Sequence, residues 1–387
     1  MHFRKFIAGL LLLLPALLFA GWRFQVRSIH QQEIQIAHVD TLTEVRITAV
    51  GDVMMHKPQI NSAQKEGNQF DFSHTFEHFK PMIQTDGIHI ANLETTFGGE
   101  PYTGFPMFSA PETLAYFLKQ TGFTHIITAN NHSADKGKKG IVGTINGLQK
   151  YGLEQIGTYS DAADKQNRYP FLFRKNKINF AILNYTYGTN GVNVPNPTIV
   201  NLIDTTEIKK DLDTARSRGA EFIIMTFHWG HEKNNHYHRS QKEVADFCVR
   251  NGVDLIIGSH PHFIQEIETA QSQWNGKQKT CWIVYSLGNF ISNQRWRYAD
   301  GGLFWDCTIQ KNHQTNEIQF LKTGFAPVWV YKQLNPIKYF LVPVAAHEKS
   351  PLYSLNAKDA DDFRIFATDT RKLIQGHLPQ IQEIKEW

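Results

Sequence analysis

Short apolar runs rich in β-branched residues alternate along the chain with longer stretches whose apolar residues recur every three or four positions. The short runs predict buried strands, because a strand covered on both faces is apolar at successive positions. They lie at 45–50, 88–93, 125–130, 221–227 and 254–259, with a hairpin over 171–185. The longer stretches predict amphipathic helices at 72–84, 111–120, 140–151, 205–218 and 241–251. This alternation predicts a layered α/β domain with helices outside the sheets.

From about residue 279 the chain becomes richer in strands. Strands are predicted at 281–287, 303–310, 317–325 and 339–344, and we expect them to form a second sheet. The last stretch is polar, with apolar residues at helical spacing between Phe363 and Leu373, and is expected to cap the domain. These patterns predict a main domain over 45–345 and a C-terminal helical extension over 346–387.

The N-terminus has the pattern of an export segment. Arg4 and Lys5 precede an uncharged, largely apolar run over 6–22. This run is near the lower length limit for spanning a bilayer, and Leu18 stands where a cleavage site after Ala20 requires a small residue, so a retained anchor is favoured over a cleaved signal peptide. We expect a signal-anchor over 1–30, a polar tether over 31–44, and a single-pass membrane protein whose main domain is extracytoplasmic.

The composition is that of a globular protein, with 41% hydrophobic and 20% charged residues, which excludes disordered, collagen-like and coiled-coil chains. A net charge of +4 is too small to indicate a nucleic-acid partner. The three cysteines are widely spaced, so they predict neither a disulfide framework nor a cysteine metal site. The 18 histidines are unusual, because imidazole is a common metal ligand and carries protons near neutral pH.

Polar side chains follow nearly every predicted strand of the α/β part. They are Asp52, Asn92, Glu94, Asn131, His132, His228, His260 and His262. Because the carboxyl ends of strands in α/β sheets meet in one crevice, we expect these side chains to converge. One histidine at such a place is most often an ordinary loop residue. This set of carboxylate, amide and imidazole groups instead suits zinc, manganese or iron, and its size suits two ions.

Other local motifs give little support to competing enzyme classes. The stretch from His231-Glu232 to His236 has one residue too many for the H-E-x-x-H motif of zinc proteases. The chain has no G-x-S-x-G, no G-x-x-x-x-G-K-[ST] and no G-x-G-x-x-G. A serine hydrolase, a P-loop enzyme and a dinucleotide-binding protein therefore lose their main support.

Six short motifs are spread in order over about 45–291. They are Gly51-Asp52-Val-Met-Met-His56, Ala91-Asn92-Leu-Glu94, Ala129-Asn130-Asn131-His132-Ser-Ala-Asp135-Lys-Gly137, His228-Trp-Gly-His231-Glu232, Gly258-Ser-His260-Pro-His262 and Ser286-Leu-Gly288-Asn289-Phe290. Their order resembles that of the bacterial capsule-synthesis CapA family, which is associated with poly-γ-glutamate capsule. That family is similar to calcineurin-like metallophosphoesterases, which implies a four-layer αββα sandwich holding two divalent cations, manganese, zinc or iron, at strand ends.

The resemblance implies a role for each motif residue. As metal ligands it implies Asp52, Glu94 in the place of a bridging carboxylate, Asn131, His228, His260 and His262. It implies that His132 protonates the leaving group and that Asp135 orients its imidazole, although N-capping of the next helix is an equal alternative for Asp135. Around the substrate we place His56, Asn92, His231, Glu232 and Asn289, and we expect His236 and His238 to line the rim beside His231 and Glu232. A solvated loop is the simpler interpretation for His231 and Glu232, and a turn for Asn289.

Two departures from the metallophosphoesterase pattern leave two functions open. The usual D-x-H is absent, since His56 falls four residues after Asp52, and Glu94 replaces the carboxylate of G-D-x-x-D. One hypothesis is a metal-dependent hydrolase or transferase acting on a phosphoester or on a γ-glutamyl polymer at the cell surface. The other is a capsule-assembly component that binds metal or polymer without turnover. Both imply the membrane, a polyanionic polymer or phosphoester, and other capsule-synthesis membrane proteins as partners.

The apolar run over 6–22 leads to a prediction about location. If it is a retained anchor, the full-length protein should sediment with membranes, resist high-salt extraction, and expose residues beyond about 31 to protease added from outside the cytoplasm. Fractionation with protease protection measures this. A mature N-terminus at Gly21 would show a cleaved signal instead, and a folded domain in the cytoplasm would contradict the surface location.

Overall fold

The computed structural model describes residues 41–386 of the chain. The expected signal-anchor over 1–30, and residues 31–40 of the expected tether, lie outside the described residues. Between residues 41 and 386, no helix combines the length and the apolar character needed to cross a membrane.

The strands and helices predicted over 88–260 are confirmed to within a few residues. The strands are Leu42–Val53 (β1), Ile88–Leu93 (β2), His125–Ile127 (β3), Glu154–Ile156 (β4), Thr158–Tyr159 (β5), Phe171–Lys175 (β6), Ile178–Thr186 (β7), Ile199–Val200 (β8), Phe222–His228 (β9), Leu255–Ser259 (β10), Ile267–Trp274 (β11), Lys277–Val284 (β12), Asn289–Ile291 (β13), Gly301–Asn312 (β14), Glu317–Leu334 (β15), Ile337–Pro343 (β16) and Gln382–Glu383 (β17). The α-helices are Lys57–Ala63 (α1), Ser73–Phe76 (α2), Thr113–Thr121 (α3), Gly137–Lys150 (α4), Ala162–Arg168 (α5), Thr205–Ser217 (α6), Arg239–Arg250 (α7), Val344–Lys349 (α8) and Ala357–His377 (α9), with 3-10 turns at Glu66–Asn68 and Lys80–Met82.

The single helix predicted over 72–84 is wrong. The apolar spacing that suggested it is real, since Phe72, Phe76, Phe79 and Ile83 are all buried. The backbone nevertheless forms only α2 and a separate 3-10 turn at Lys80–Met82. Pro81 lacks the N–H that a helix interior needs and disfavours helical geometry in the residue before it. The segment therefore buries a helix-like stripe without forming one helix.

Two mixed sheets make up the centre of the fold. The larger has the order β16-β15-β14-β1-β2-β3-β4, with β13 added to β1 and β17 to β15. Strands β1 to β4 run parallel, whereas β14 to β16 are antiparallel. The smaller has the order β11-β12-β10-β9-β7-β6, and its four central strands run parallel. The parallel strands of each sheet are the ones that end at the candidate site.

The expectation that the strands after residue 279 form a second sheet is wrong for three of the four. Strands β14, β15 and β16 extend the larger sheet, in which β14 pairs with β1 from Leu42↔Asn312 to Val50↔Phe304. Only β12 joins the smaller sheet, whose other strands come from the middle of the chain. A strand's own residues specify its buried faces but not which distant strand pairs with it.

Apolar side chains on both faces of the larger sheet create the layers. Ile47 of β1 packs in the core shared with the smaller sheet, which includes Ile224 and, from α6, Leu212. Val50, on the other face of β1, packs in a second core with Leu118 of α3. Helices therefore cover the outer face of each sheet, and the four-layer αββα sandwich is confirmed.

The C-terminal helix α9 packs against the outer strands of the larger sheet. The ring of Phe363 meets Trp329 of β15 edge to face, with 5.6 Å between centroids, and Phe366 is fully buried in the same core. The end of α9 is thereby held beside the main part of the molecule.

Gly258 of β10 allows two backbones to approach closely beneath the candidate site. A Cβ at this position would lie 1.9 Å from the carbonyl oxygen of Tyr285 and 2.5 Å from Trp229 Nε1, and that indole N–H donates to the same oxygen at 2.9 Å. We expect Gly258→Ala to lower the free energy of unfolding by about 1–3 kcal/mol or more, measured by urea denaturation. The control Gly376→Ala, where no heavy atom lies within 4 Å of the added Cβ, should leave it unchanged or slightly higher. Equal midpoints for both variants would contradict the close-approach argument.

Candidate metal centre

The ends of parallel strands from both sheets supply the candidate ligands. In the larger sheet, Asp52 lies near the end of β1, Glu94 directly follows β2, and Asn131 and His132 follow β3. In the smaller sheet, His228 is the last residue of β9, and His260 and His262 follow β10. The structure brings these seven side chains, which the sequence placed after separate strands, to one edge of the sandwich.

Glu94 lies at the centre of this group. Its side chain is fully buried, and neither carboxylate oxygen has a hydrogen-bond donor. Three imidazole nitrogens lie just beyond hydrogen-bond distance: His228 Nε2 at 3.7 Å and His132 Nε2 at 4.0 Å from Oε1, and His262 Nδ1 at 3.9 Å from Oε2. A buried carboxylate normally has donors or an ion opposite it, so this arrangement fits a bound cation.

Glu94 belongs to two triads of possible ligands. One joins Glu94 to His228 and His260, and the other joins it to Asp52 and His262. Within each triad one ligand atom from each residue lies within 4.8 Å of the others. Carboxylate and imidazole donors suit zinc, manganese and iron. The residues present therefore fit divalent cations, and Glu94 is common to both triads.

Burial determines the charges of these groups. It raises the pKa of Glu94 well above its usual value, and the negative charges of Asp52 and Glu232 raise it further. It lowers the pKa of His228, and it lowers the pKa of His260 to about 3, with neighbouring histidines adding to the effect. Neutral imidazole is the form that binds metal, and His260 Nδ1 is buried without a hydrogen-bond partner.

Amide side chains hold several of the ligands in place. Asn92 Nδ2 donates to Asp52 Oδ1 at 2.7 Å, while Asp52 Oδ2 lies 3.1 Å from His262 Nδ1. Asn131 Oδ1 lies 2.8 Å from His228 Nε2. Asn92, predicted near the substrate, is therefore buried among the ligands and positions one of them.

His132 is oriented by Asp135, as the first of the two interpretations of that carboxylate expects. His132 Nδ1 lies 2.8 Å from Asp135 Oδ2, which also accepts from the backbone N–H of Phe108 at 2.6 Å. Helix α4 begins at Gly137 with Lys136 in the N-cap position, so Asp135 does not cap it. The ring is thus fixed with Nε2 facing Glu94.

The other residues predicted around the substrate fall into two groups. His231 and Glu232 are exposed and line an open cavity of about 540 Å³ together with Tyr187 and His260. His56 is more enclosed: its ring meets Phe108 edge to face, Phe108 meets His132 in the same way, and burial lowers the pKa of His56 to about 4. His231 and Glu232 therefore lie at the rim of the site, whereas His56 and His132 both contact the ring of Phe108.

Asn289 is held by one backbone oxygen and one side-chain oxygen. Its side-chain amide donates to the carbonyl oxygen of Ala299 at 2.8 Å and to Gln294 Oε1 at 3.0 Å. Gly288 before it has φ +69°, and Asn289 begins β13 beside Asp52. The amide nitrogen is therefore engaged, whereas Asn289 Oδ1 is buried without a hydrogen-bond partner and remains available to a ligand.

Sequence reasoning missed two residues that shape the site. Asn130 donates through Nδ2 to the carbonyl oxygen of Leu93 at 2.8 Å and accepts from the backbone N–H of His132 at 3.1 Å, which fixes the loop after β3. The ring of Tyr187 lies 4.5 Å from that of His260. Tyr187 directly follows β7, so the strand-end pattern that identified the ligands could have found it too.

Comparison with known proteins shows the family. Residues 46–294 match the model of the family described as "Bacterial capsule synthesis protein PGA_cap". The chain belongs to this family. The resemblance drawn from the six motifs is thereby confirmed, and every candidate ligand lies inside the matched PGA_cap region.

Two curated relatives of this PGA_cap protein are capsule-biosynthesis proteins. It is 27% identical over 278 residues to the capsule biosynthesis protein CapA of Bacillus anthracis, covering 67% of this chain and 63% of the relative. It is 26% identical over 273 residues to the PGA biosynthesis protein CapA of Bacillus subtilis (strain 168), covering 68% of this chain and 67% of the relative. The chain thus matches less than two thirds of the length of the first.

Two solved structures have a similar chain path at low identity. One is the Haemophilus influenzae NAD nucleotidase NadN, with a TM-score of 0.47, 11% identity, and coverage of 86% of this chain and 60% of that one. The other is the 5'-nucleotidase of Candida albicans, with a TM-score of 0.41, 10% identity, and coverage of 85% and 58%.

Because the buried carboxylate of Glu94 has no hydrogen-bond donor, Glu94→Gln should affect stability in opposite directions without and with bound metal. Without metal, Glu94→Gln should stabilise the protein near pH 7–8, because the variant no longer buries a group whose pKa the fold raises. In the wild type, metal-free stability should fall as pH rises above the unfolded-state pKa near 4.5, since the folded state then binds more protons than the unfolded state. Thermal melts of chelator-treated full-length protein measure both effects.

Added zinc or manganese should reverse the order of stability, so that the wild type becomes more stable than Glu94→Gln. At 100 times Kd the metal stabilises the wild type by about 2.7 kcal/mol, whereas the variant gains much less. Glu243→Gln, which changes an exposed glutamate of α7 paired with Arg239, is the matched control and should respond like the wild type. An equal metal response in the wild type and Glu94→Gln would show that Glu94 binds no metal.

Proposed function

We propose that this protein is a metal-dependent hydrolase of the phosphoesterase type that acts in the biosynthesis of an anionic capsule polymer, poly-γ-glutamate or a similar one. The observation that carries this proposal is Glu94, a buried carboxylate without hydrogen-bond donors that two triads of possible ligands share. The relatives' role in capsule biosynthesis supports the polymer, and the ligand set supports the chemistry.

Separate residues of this chain would bind the cations and transfer the proton in such a reaction. Two divalent cations, zinc, manganese or iron, would be held by Asp52, Glu94, Asn131, His228, His260 and His262. Bound there, such cations polarise a phosphoryl or carbonyl oxygen and lower the pKa of water.

His132 is the proton donor in this proposal. Its Nδ1 is tied to Asp135, so Nε2 faces the site and can give a proton to the leaving oxygen. The cavity lined by Tyr187, His231 and Glu232 opens beside His260 and provides space for a chain-like substrate.

The same proposal places the reaction at the cell surface. The apolar run over 6–22 would hold the protein in the membrane, with its main domain outside the cytoplasm. Other capsule-synthesis membrane proteins would be its partners there.

One observation favours the second candidate, an assembly component without turnover. Met54 stands where the first metallophosphoesterase motif usually has a histidine, and its buried sulfur contacts Ser292 Oγ at 3.9 Å. The second triad then has three possible ligands, Asp52, Glu94 and His262. Weaker binding of one cation would leave a site that binds ligand but turns over slowly.

His132→Ala separates these two functions. In the full-length protein we expect hydrolysis of a phosphodiester such as bis(p-nitrophenyl) phosphate, or of γ-glutamyl peptides, to fall about 10²–10⁴-fold, because a proton donor acts only on the rate. Bound metal, measured by elemental analysis, should stay nearly unchanged. His313→Ala, at a histidine that contacts Thr43, is the control and should keep full activity.

Other results would contradict parts of the proposal. Equal loss of metal and activity in His132→Ala would make His132 a ligand. A metal-loaded wild type that hydrolyses neither substrate class but binds poly-γ-glutamate would favour the assembly component.

A further inference from the structure

A second group of imidazole and carboxylate side chains lies outside the candidate metal centre. His236 lies in the loop between β9 and α7, Glu266 immediately precedes β11, and His377 is the last residue of α9. One ligand atom from each lies within 4.8 Å of the others. None of the three belongs to the triads around Glu94, so any ligand here is separate from that site.

The distances suit a tetrahedral cation. Glu266 Oε1 lies 2.7 Å from His236 Nδ1 and 3.7 Å from His377 Nε2. Zinc bonds of about 2.0–2.1 Å to nitrogen and oxygen put tetrahedral donors roughly 3.4 Å apart. The two observed separations lie on either side of that value. Small rotations of the two imidazole rings, both exposed to solvent, would therefore bring all three donors around one ion.

The carboxylate is held rigidly between the two rings. The side chain of Glu266 is almost fully buried, and its Oε2 accepts from the backbone N–H of Tyr237 at 3.0 Å. Gln265 Nε2 donates to the carbonyl oxygens of Asn234 and His236 at 3.0 and 2.9 Å, which fixes the backbone that carries the first histidine. The carboxylate of Glu266 and the backbone that carries His236 are thus positioned before any ligand binds.

Glu266 has no permanent positive charge against it. Within residues 41–386, its ion-pair partners are these two histidines, and neither a lysine nor an arginine lies within 4.0 Å. A neighbouring cavity of about 460 Å³ is lined by His236, Tyr298, Asp369, Lys372 and His377, among others. This space leaves room for water as a fourth ligand, as in zinc sites with three protein ligands.

We propose that His236, Glu266 and His377 form a second metal site, of the zinc class, that fastens the end of α9 to the loop between β9 and α7. Two imidazoles and one carboxylate are a ligand set that zinc accepts. The loop that this site anchors also carries His231 and Glu232 at the rim of the candidate metal centre. Zinc here would therefore stabilise both the C-terminal helix and that rim.

Zinc binding by the full-length protein in a Glu94→Gln background tests this site apart from the first one. After chelator treatment, zinc is titrated in competition with a chromophoric chelator. We expect His377→Gln in this background to lose one equivalent of zinc, or to bind it at least about tenfold more weakly, since even loss of a residue that only supports a ligand costs about 10–100-fold. His313→Gln in the same background is the control and should keep that equivalent.

A structural readout accompanies the titration. Zinc should slow amide hydrogen exchange in residues 357–381 of the Glu94→Gln protein, because zinc bound there links α9 to the loop. In the protein that also carries His377→Gln, zinc should leave this exchange unchanged, because the ligand from α9 is missing. Unchanged zinc stoichiometry and affinity in His377→Gln would overturn the proposal. So would zinc binding that leaves the exchange of residues 357–381 unaltered.

Discussion

A carboxylate buried without a hydrogen-bond donor is the constraint around which the rest of this structure is arranged. An uncompensated charge in the interior costs several kcal/mol, so Glu94 must take up either a proton or a cation. His228 and His260 cannot neutralise it by protonation, because burial lowers the pKa of both imidazoles. The same burial that makes Glu94 unfavourable alone therefore makes the group a good site for divalent cations, whose ligands are carboxylates and neutral imidazoles.

The αββα sandwich supplies this arrangement through strand ends and close backbone contacts. Parallel strands of both sheets stop at one edge, so residues far apart in the chain meet there. Glycine allows two of these backbone segments to approach closely, since a Cβ at Gly51 would lie 1.9 Å from the carbonyl oxygen of Gly288. His260 and His262 adopt φ of +100° and +58°, a backbone region that residues other than glycine rarely adopt. Such backbone strain is typical of functional sites, where the surrounding packing holds it in place.

The loop between β9 and α7 connects the two groups of possible ligands. It leaves the sheet at His228, passes the rim at His231 and Glu232, and reaches His236 beside Glu266. The PGA_cap match ends at residue 294, whereas His377 lies in α9, beyond it. The candidate metal centre thus belongs to the part of the chain that defines the family. The second group joins that part to the C-terminal helix.

The sequence by itself determined most of the longer strands and helices, and which polar residues follow the strands at the site, because local periodicity records which faces are buried. The short strands, such as β4, β5 and β8, escaped it. The sequence could not decide that β14 to β16 join β1, because strand pairing depends on distant packing. The break at Pro81 has a local cause, the missing N–H of proline, which the apolar spacing around it concealed. In the site, the motifs placed Glu94 and His228 near one another, but only the tertiary structure decided that Glu94 lacks donors and that Asp135 holds His132. Likewise, no local pattern could join His377 to Glu266. Contacts between remote residues arise only when the sheets and helices pack, and that packing decides which charges are left for a ligand to neutralise.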